Sequence, residues 1–164
     1  MSIDSIEKLF VEELKDLYSA ENQITKVLPK MAKASSSKEL RSAFEHHLEE
    51  THGQIQRLYR IFSILDKSPK GKTCDGMKGL LHEGAEMLDE AEEGAVRDAA
   101  MVSAAQRVEH YEIAGYGSVR TYAEVLGKPA IAQLLQETLN EEKAADKKLT
   151  EVAQRVNVEA PHAA

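Results

Sequence analysis

The chain has 164 residues, with 28 Asp and Glu against 21 Lys and Arg, for a net charge of −7. That length suits one domain with a full hydrophobic core. The negative charge disfavours nucleic acid and anionic lipid as partners, because both attract cations. Nine Gly, four Pro and no Trp, in a chain rich in Ala, Glu, Leu and Lys, exclude a turn-rich β protein and predict an all-α one.

Cys74 is the single cysteine, so an intrachain disulfide and any CxxC metal knuckle are excluded. The opening Met1-Ser2-Ile3-Asp4-Ser5-Ile6-Glu7-Lys8 is charged from the start and lacks the apolar run of a signal peptide. No stretch approaches a membrane span. The sequence therefore predicts a soluble cytoplasmic protein without membrane or nucleic-acid partners.

A first long helix is predicted from about Asp4 to Lys33, opened by Asp4 and Glu7 at capping-box spacing. Phe10, Leu14, Leu17, Ile24, Leu28 and Met31 recur at the gaps of a buried helical stripe. Pro29 is placed to kink the last turn. After Ala34-Ser35-Ser36-Ser37, a second capping box, Ser36 with Glu39, opens a helix that reaches about Leu65. Its apolar side is read through Leu48, Ile55, Tyr59 and Phe62.

Asp66 to Gly76 reads as a loop, with Pro69, Gly71 and Gly76. Asp75 is the expected N-cap of a shorter amphipathic helix carrying Met77, Leu80, Leu81, Met87 and Leu88, which fades near Glu92-Glu93-Gly94. A third long helix runs from about Ala95 to Leu126, with Val102, Ala105, Tyr116, Val119 and Ala123 in register. Gly127-Lys128-Pro129 ends it and starts a fourth, which runs to about Val156.

Short connections join the first helix to the second and the third to the fourth, so each pair is an antiparallel hairpin. The link between hairpins, about residues 66–94, carries its own helix. The fold class is therefore all-α, a ferritin-like antiparallel four-helix bundle with a long crossover carrying a short fifth helix. The bundle spans 1–157 and a flexible tail 158–164.

Acids interrupt all four apolar stripes near mid-helix. Glu21 stands at the next core step after Leu14 and Leu17. The stripe through Leu48 and Ile55 passes through His52, with Glu49 one turn before it. Glu109 and Glu112 follow Val102 and Ala105, and Glu142 and Asp146 follow Leu135 and Leu139. Antiparallel helices of similar length bring these acids to one layer. Burying one unpaired carboxylate costs several kcal/mol, and no Lys or Arg occupies the stripes in that layer. Either several groups are protonated or cations sit among them. Two divalent ions bound by oxygens and one His fit iron, with manganese the alternative, better than zinc, calcium or magnesium. Glu49-x-x-His52 has the i, i+3 spacing that aims two ligands at one point.

Leu17-Tyr18-Ser19-Ala20-Glu21, His47-Leu48-Glu49-Glu50-Thr51-His52-Gly53-Gln54, Val108-Glu109-His110-Tyr111-Glu112-Ile113-Ala114 and Glu137-Thr138-Leu139-Asn140-Glu141-Glu142 resemble the YciF-like family of bacterial stress-associated proteins, within the ferritin-like and rubrerythrin-like superfamily. The resemblance covers nearly the whole chain. It implies a dinuclear metal centre and a homodimer. Glu21, Glu49, His52, Glu109 and Glu142 match the superfamily's ligand positions, and Glu112 is similar to the extra carboxylate of rubrerythrins. The superfamily places a His three residues after its last Glu; here that position is Ala145, with Asp146 the substitute one residue on.

The leading expectation is an oxidoreductase in which two metal ions reduce peroxide or dioxygen, or oxidise ferrous iron. Glu49 and Glu142 would bridge, Glu21 and Glu109 would be terminal, and His52 would supply nitrogen. With Cys74 alone, electrons would come from an external donor. The alternative is a structural or interaction module whose metal site only stabilises the bundle or stays empty. His46 and His47 read as structural or surface residues, and His110 as off the ligand face. Tyr116 either bonds a ligand carboxylate, relays an electron, or is simply packed with its hydroxyl satisfied.

Overall fold

A computed structural model describes residues 2–162 of the chain. The described residues form five α-helices and no strand: α1 (Ile6–Ala34), α2 (Lys38–Ile64), α3 (Asp75–Glu90), α4 (Ala95–Val125) and α5 (Pro129–Glu159), followed by a 3-10 turn over Ala160–His162. The four long helices make the bundle as two antiparallel hairpins, α1–α2 and α4–α5. α3 rides on the crossover and packs against α4 and α1. None of the helices among the described residues is long and apolar enough to cross a membrane.

The helix starts follow from local hydrogen bonding. Ser5 caps α1 by accepting from the Lys8 N–H at 3.3 Å. Ser37 caps α2 by accepting from the Leu40 N–H at 3.2 Å. Each cap stands one residue after the Asp4 and Ser36 read from sequence. At α2 the reason lies on another helix. Buried Asp98 of α4 accepts from the N–H groups of Ser36 (2.9 Å) and Ser37 (2.7 Å). Cys74, rather than Asp75, caps α3, with its thiol 3.4 Å from the Met77 N–H.

α1 continues through Pro29, whose side faces solvent. α4 ends in a Schellman motif, in which Gly127 N–H donates to Glu124 and Lys128 N–H to Ala123. This needs the φ of +66° that Gly127 adopts without strain. Pro129 then sits at the first turn of α5. The stretch expected as a loose tail is helical through Glu159 and turns once more through His162. Ala163, Ala164 and Met1 lie outside the described residues.

The core is in two pieces. One cluster, toward the α1–α2 connection, includes Ile24, Leu28, Leu40, Phe44, Met101, Val102 and Leu149. The other, toward the α4–α5 turn, includes Phe10, Leu14, Leu17, Leu58, Ile61, Val119 and Leu135. Polar side chains separate them, and the site is built there.

Candidate metal centre

Each long helix carries its apolar stripe through the mid-bundle and places a polar residue where the stripe crosses it. On α1 the buried residues run Leu14, Leu17, Glu21, Ile24. On α4 they run Ala105, Val108, Glu109, Glu112, Tyr116, and on α5 they run Leu135, Thr138, Leu139, Glu142, Leu149. Glu21, Glu112 and Glu142 have no exposed surface, and Glu109 has 2%.

The second helix corrects the sequence reading. The buried face of α2 comprises Leu40, Phe44, His47, Thr51, Gln54, Ile55, Leu58, Ile61 and Phe62. Glu49 and His52 face solvent and do not join the layer. Ile55 and Phe62 of the expected stripe are buried; joining Ile55 to half-buried Leu48 leads through exposed His52, whereas the buried path runs through His47 and Thr51. Leu48 is only half-buried, and Tyr59 is 47% exposed. The true core positions carry His, Thr and Gln, which no search for an apolar stripe would choose. The residue missed was His47, 6% exposed and buried against the acids. Its signal was present: His47 falls three residues after Phe44 and seven before Gln54, a helical-face spacing.

His47, Glu109, Glu112 and Glu142 each offer one ligand atom, and these atoms lie within 4.8 Å of one another. His47 Nε2 lies 3.1 Å from Glu109 Oε1 and 4.0 Å from Glu142 Oε2, without hydrogen-bond alignment to either. Glu21 adjoins the group, and Tyr116 donates its hydroxyl proton to Glu21 Oε1. Of the open readings of Tyr116, the geometry shows the carboxylate bond. Asp146 stands beside the layer at partial exposure, engaged by His110 Nε2 at 3.2 Å and Gln106 Nε2 at 3.2 Å.

The electrostatics show what the layer lacks. Burial first, then the Glu142 charge, push Glu21 up to about 8, against the lowering effect of its hydrogen bonds with Tyr116 and Glu112. Burial first, then the neighbouring carboxylates, raise Glu109 and Glu112 well above the ordinary carboxylate range. Burial alone would lower His47, but Glu50 and the charges of Glu142 and Glu21 outweigh it and hold it above its usual value. Glu21 Oε2, Glu109 Oε2, both oxygens of Glu112 and Glu142, and both nitrogens of His47 have no hydrogen-bond partner. Buried polar atoms are nearly always partnered, so so many orphans converging on one point fit a cation. The donor set of four carboxylates and one imidazole suits a hard-to-borderline ion such as iron or manganese. Beside it, Arg57 of α2 clasps Glu141 of α5, with Nη1 at 2.8 Å from Oε2, and Gln54 Nε2 donates to the same oxygen at 3.1 Å.

Residues 5–160 match the family model described as "Domain of unknown function (DUF892)". The chain belongs to the DUF892 family. It is 49% identical over 154 residues to Protein YciF of Escherichia coli K12, covering 93% of each chain. It superposes on the crystal structure of the E. coli stress protein YciF with a TM-score of 0.91 at 48% identity, covering 94% of this chain and 98% of that one. A ferritin-like, diiron-carboxylate protein from Bacillus anthracis matches with a TM-score of 0.70, covering 93% and 99%. At 17% identity that likeness concerns the fold alone. This DUF892 chain is thus a homologue of a stress protein, with the ferritin-like bundle read from its sequence and a buried His/Glu group of metal-ligating type.

Proposed function

We propose that this DUF892 chain is a dinuclear-metal carboxylate protein of stress response, acting on peroxide, dioxygen or ferrous iron. The observation that carries the reading is the cluster of unpartnered carboxylate oxygens in the dry mid-bundle layer. Charge balance sets the number of ions. Glu21, Glu109, Glu112 and Glu142 supply four negative charges once ionised, and a ligating His is neutral. Two divalent cations neutralise them; one leaves a net charge buried at a cost of several kcal/mol.

A bound redox-active pair would supply electrons to an oxidant, or accept them from ferrous iron. The chain's own residues hold and orient. His47 offers nitrogen from α2, and Glu109, Glu112 and Glu142 offer oxygens from α4 and α5. Tyr116 fixes the Glu21 carboxylate through its hydroxyl. The two apolar clusters flank the layer, and an apolar-walled opening reaches it at His47 and Glu109. Reducing equivalents come from an external donor, because Cys74 is the single cysteine of the chain.

Metal content per chain, measured by mass spectrometry after anaerobic reconstitution with ferrous iron, tests this. Wild type and His52→Ala should both hold about two ions, while His47→Ala and Glu112→Gln should lose at least one. Peroxide or dioxygen should then oxidise the bound iron faster than iron free in buffer. Wild type without bound metal would hand the function to the alternative, a helical interaction module whose acidic layer closes by protonation.

A further inference from the structure

We propose that Glu50 is a positioning residue of the metal centre: its carboxylate accepts from His47 Nδ1–H, which leaves Nε2 bare and turned toward the acidic layer. The inference rests on the metal reading and names what makes His47 a ligand.

The two ring nitrogens of His47 face different groups. Nε2 lies 3.1 Å from Glu109 Oε1 and 4.0 Å from Glu142 Oε2, on the side of the layer. Nδ1 lies 3.6 Å from Glu50 Oε2. Glu50 follows His47 by three residues and His46 by four, so it neighbours both on the surface of α2. Its two oxygens are divided between them. Oε1 lies 3.2 Å from Nε2 of exposed His46, and Oε2 faces Nδ1 of buried His47. Among the described residues, the ion-pair partners of Glu50 are these two histidines and no Lys or Arg. Lys148, nearby on α5, is taken by Glu39 at 3.0 Å.

A histidine binds a cation only through a nitrogen that carries no proton. Neutral imidazole has one proton to place, and the hydrogen bond made by one nitrogen decides which form is present. Rotation of the ring about χ2 is soft, and apolar packing does not choose between its nitrogens. An acceptor at Nδ1 does. A carboxylate there fixes the orientation of the ring and raises the basicity of the nitrogen on the far side. At 3.6 Å the contact is longer than a hydrogen bond, and both ring nitrogens are unpartnered. Closing it to hydrogen-bond length takes a shift of about 0.6 Å.

The placement of Glu50 is otherwise costly. Glu21, Glu109, Glu112 and Glu142 already crowd the layer, and a fifth carboxylate beside them adds repulsion. A donor on its inner side offsets that, and His47 Nδ1 is the nitrogen that faces it. His47-x-x-Glu50 thus takes the part on α2 expected of Glu49-x-x-His52, with the order reversed and the carboxylate behind the histidine.

The test joins metal titration to nitrogen NMR on full-length protein. Calorimetry with manganous ion measures affinity in wild type, Glu50→Ala and Glu50→Gln. Long-range proton–nitrogen spectra of protein with nitrogen-labelled histidine, loaded with zinc as a diamagnetic probe, read which nitrogen of His47 holds the proton. Wild type should show a protonated Nδ1 and a metal-bound Nε2. Glu50→Ala should lose about 10–100-fold in manganese affinity and the single Nδ1–H form. Glu50→Gln, whose side-chain oxygen still accepts from Nδ1–H, should recover most of the affinity and keep the wild-type nitrogen signature. Circular dichroism in chelator establishes that both variants are folded. Wild-type affinity with an unchanged signature in Glu50→Ala overturns the proposal, as does metal on Nδ1 in wild type. Glu50→Gln as weak as Glu50→Ala also overturns it, because Glu50 would then act through its charge alone. A wild type that binds neither ion overturns the metal reading and this one with it, whereas binding that survives Glu50→Ala removes the positioning role and leaves the metal reading standing.

Discussion

Removing metal from the mid-bundle layer should make stability fall as pH rises through neutrality, opposite to the usual behaviour of a carboxylate. Glu21 sets this behaviour, because burial and the neighbouring Glu142 charge raise it from an ordinary 4.5 to about 8. Between these values the folded chain keeps a proton that the unfolded chain has released. The stabilisation is therefore fully present below about pH 4.5 and is lost progressively up to about pH 8. At 1.36 kcal/mol per unit, the loss is roughly 5 kcal/mol, a large share of a domain's total stability. Glu109 and Glu112 are raised in the same direction and steepen the slope. For a chain this size each kcal/mol moves Tm by about 2–4 °C, so Tm should drop by about 10–20 °C between pH 5 and pH 8.5. The assay is thermal unfolding in chelator, followed by circular dichroism across that range. Glu21→Gln, whose carbonyl still accepts from Tyr116, should remove much of the slope. Saturation with manganese or ferrous ion should flatten it, because bound ions stabilise the ionised form. A chelated wild type whose Tm is level or rises from pH 5 to pH 8.5 would refute the account of a layer short of positive charge.

Three further outcomes follow from the packing. Asp98→Ala leaves the N–H groups of Ser36 and Ser37 without their acceptor and should cost about 1–2 kcal/mol in chemical denaturation. Gly115→Ala should cost about 1–3 kcal/mol by overpacking, because a Cβ there would lie 2.7 Å from Leu17 Cδ2; an unchanged midpoint would mean α1 and α4 are less closely set. The Cys74 thiol, fully buried and pushed up mainly by that burial, should resist maleimide at pH 7.5 until denaturant is added. Rapid labelling of the native protein would contradict its burial at the start of α3.

The bundle was legible because three helices advertise their buried faces with large apolar residues on both sides of the acids. Leu14 and Leu17 below, with Ile24 and Leu28 above, leave Glu21 no other place. Val108 with Val119, and Leu139 with Leu149, fix α4 and α5 in the same way. On α2 the polar stretch is longer: His47, Thr51 and Gln54 hold three successive core steps. Leu48 and Tyr59 lie on the flank, and joined with buried Ile55 they point to a face rotated away from the true one. A pattern built on hydrophobicity fails where burial is driven by side chains that the acids require rather than by apolar area. The caps missed by one residue have a related cause. Asp98 acts on the α2 start from 61 and 62 positions away, and such a contact leaves no local trace.

The division of the core into two apolar clusters has a consequence for how the molecule breathes. An ordinary helix is loosest at its ends and tightest at its centre. Here every long helix crosses the bundle with its middle against the most charged stratum and its outer thirds against apolar side chains. Without ions, the four midsections are where solvent gains most by entering, so the equator loosens before the poles. The chain is less a rod bundle with frayed tips than two bound sheaves joined at a waist, and whatever fills the waist decides whether they move as one.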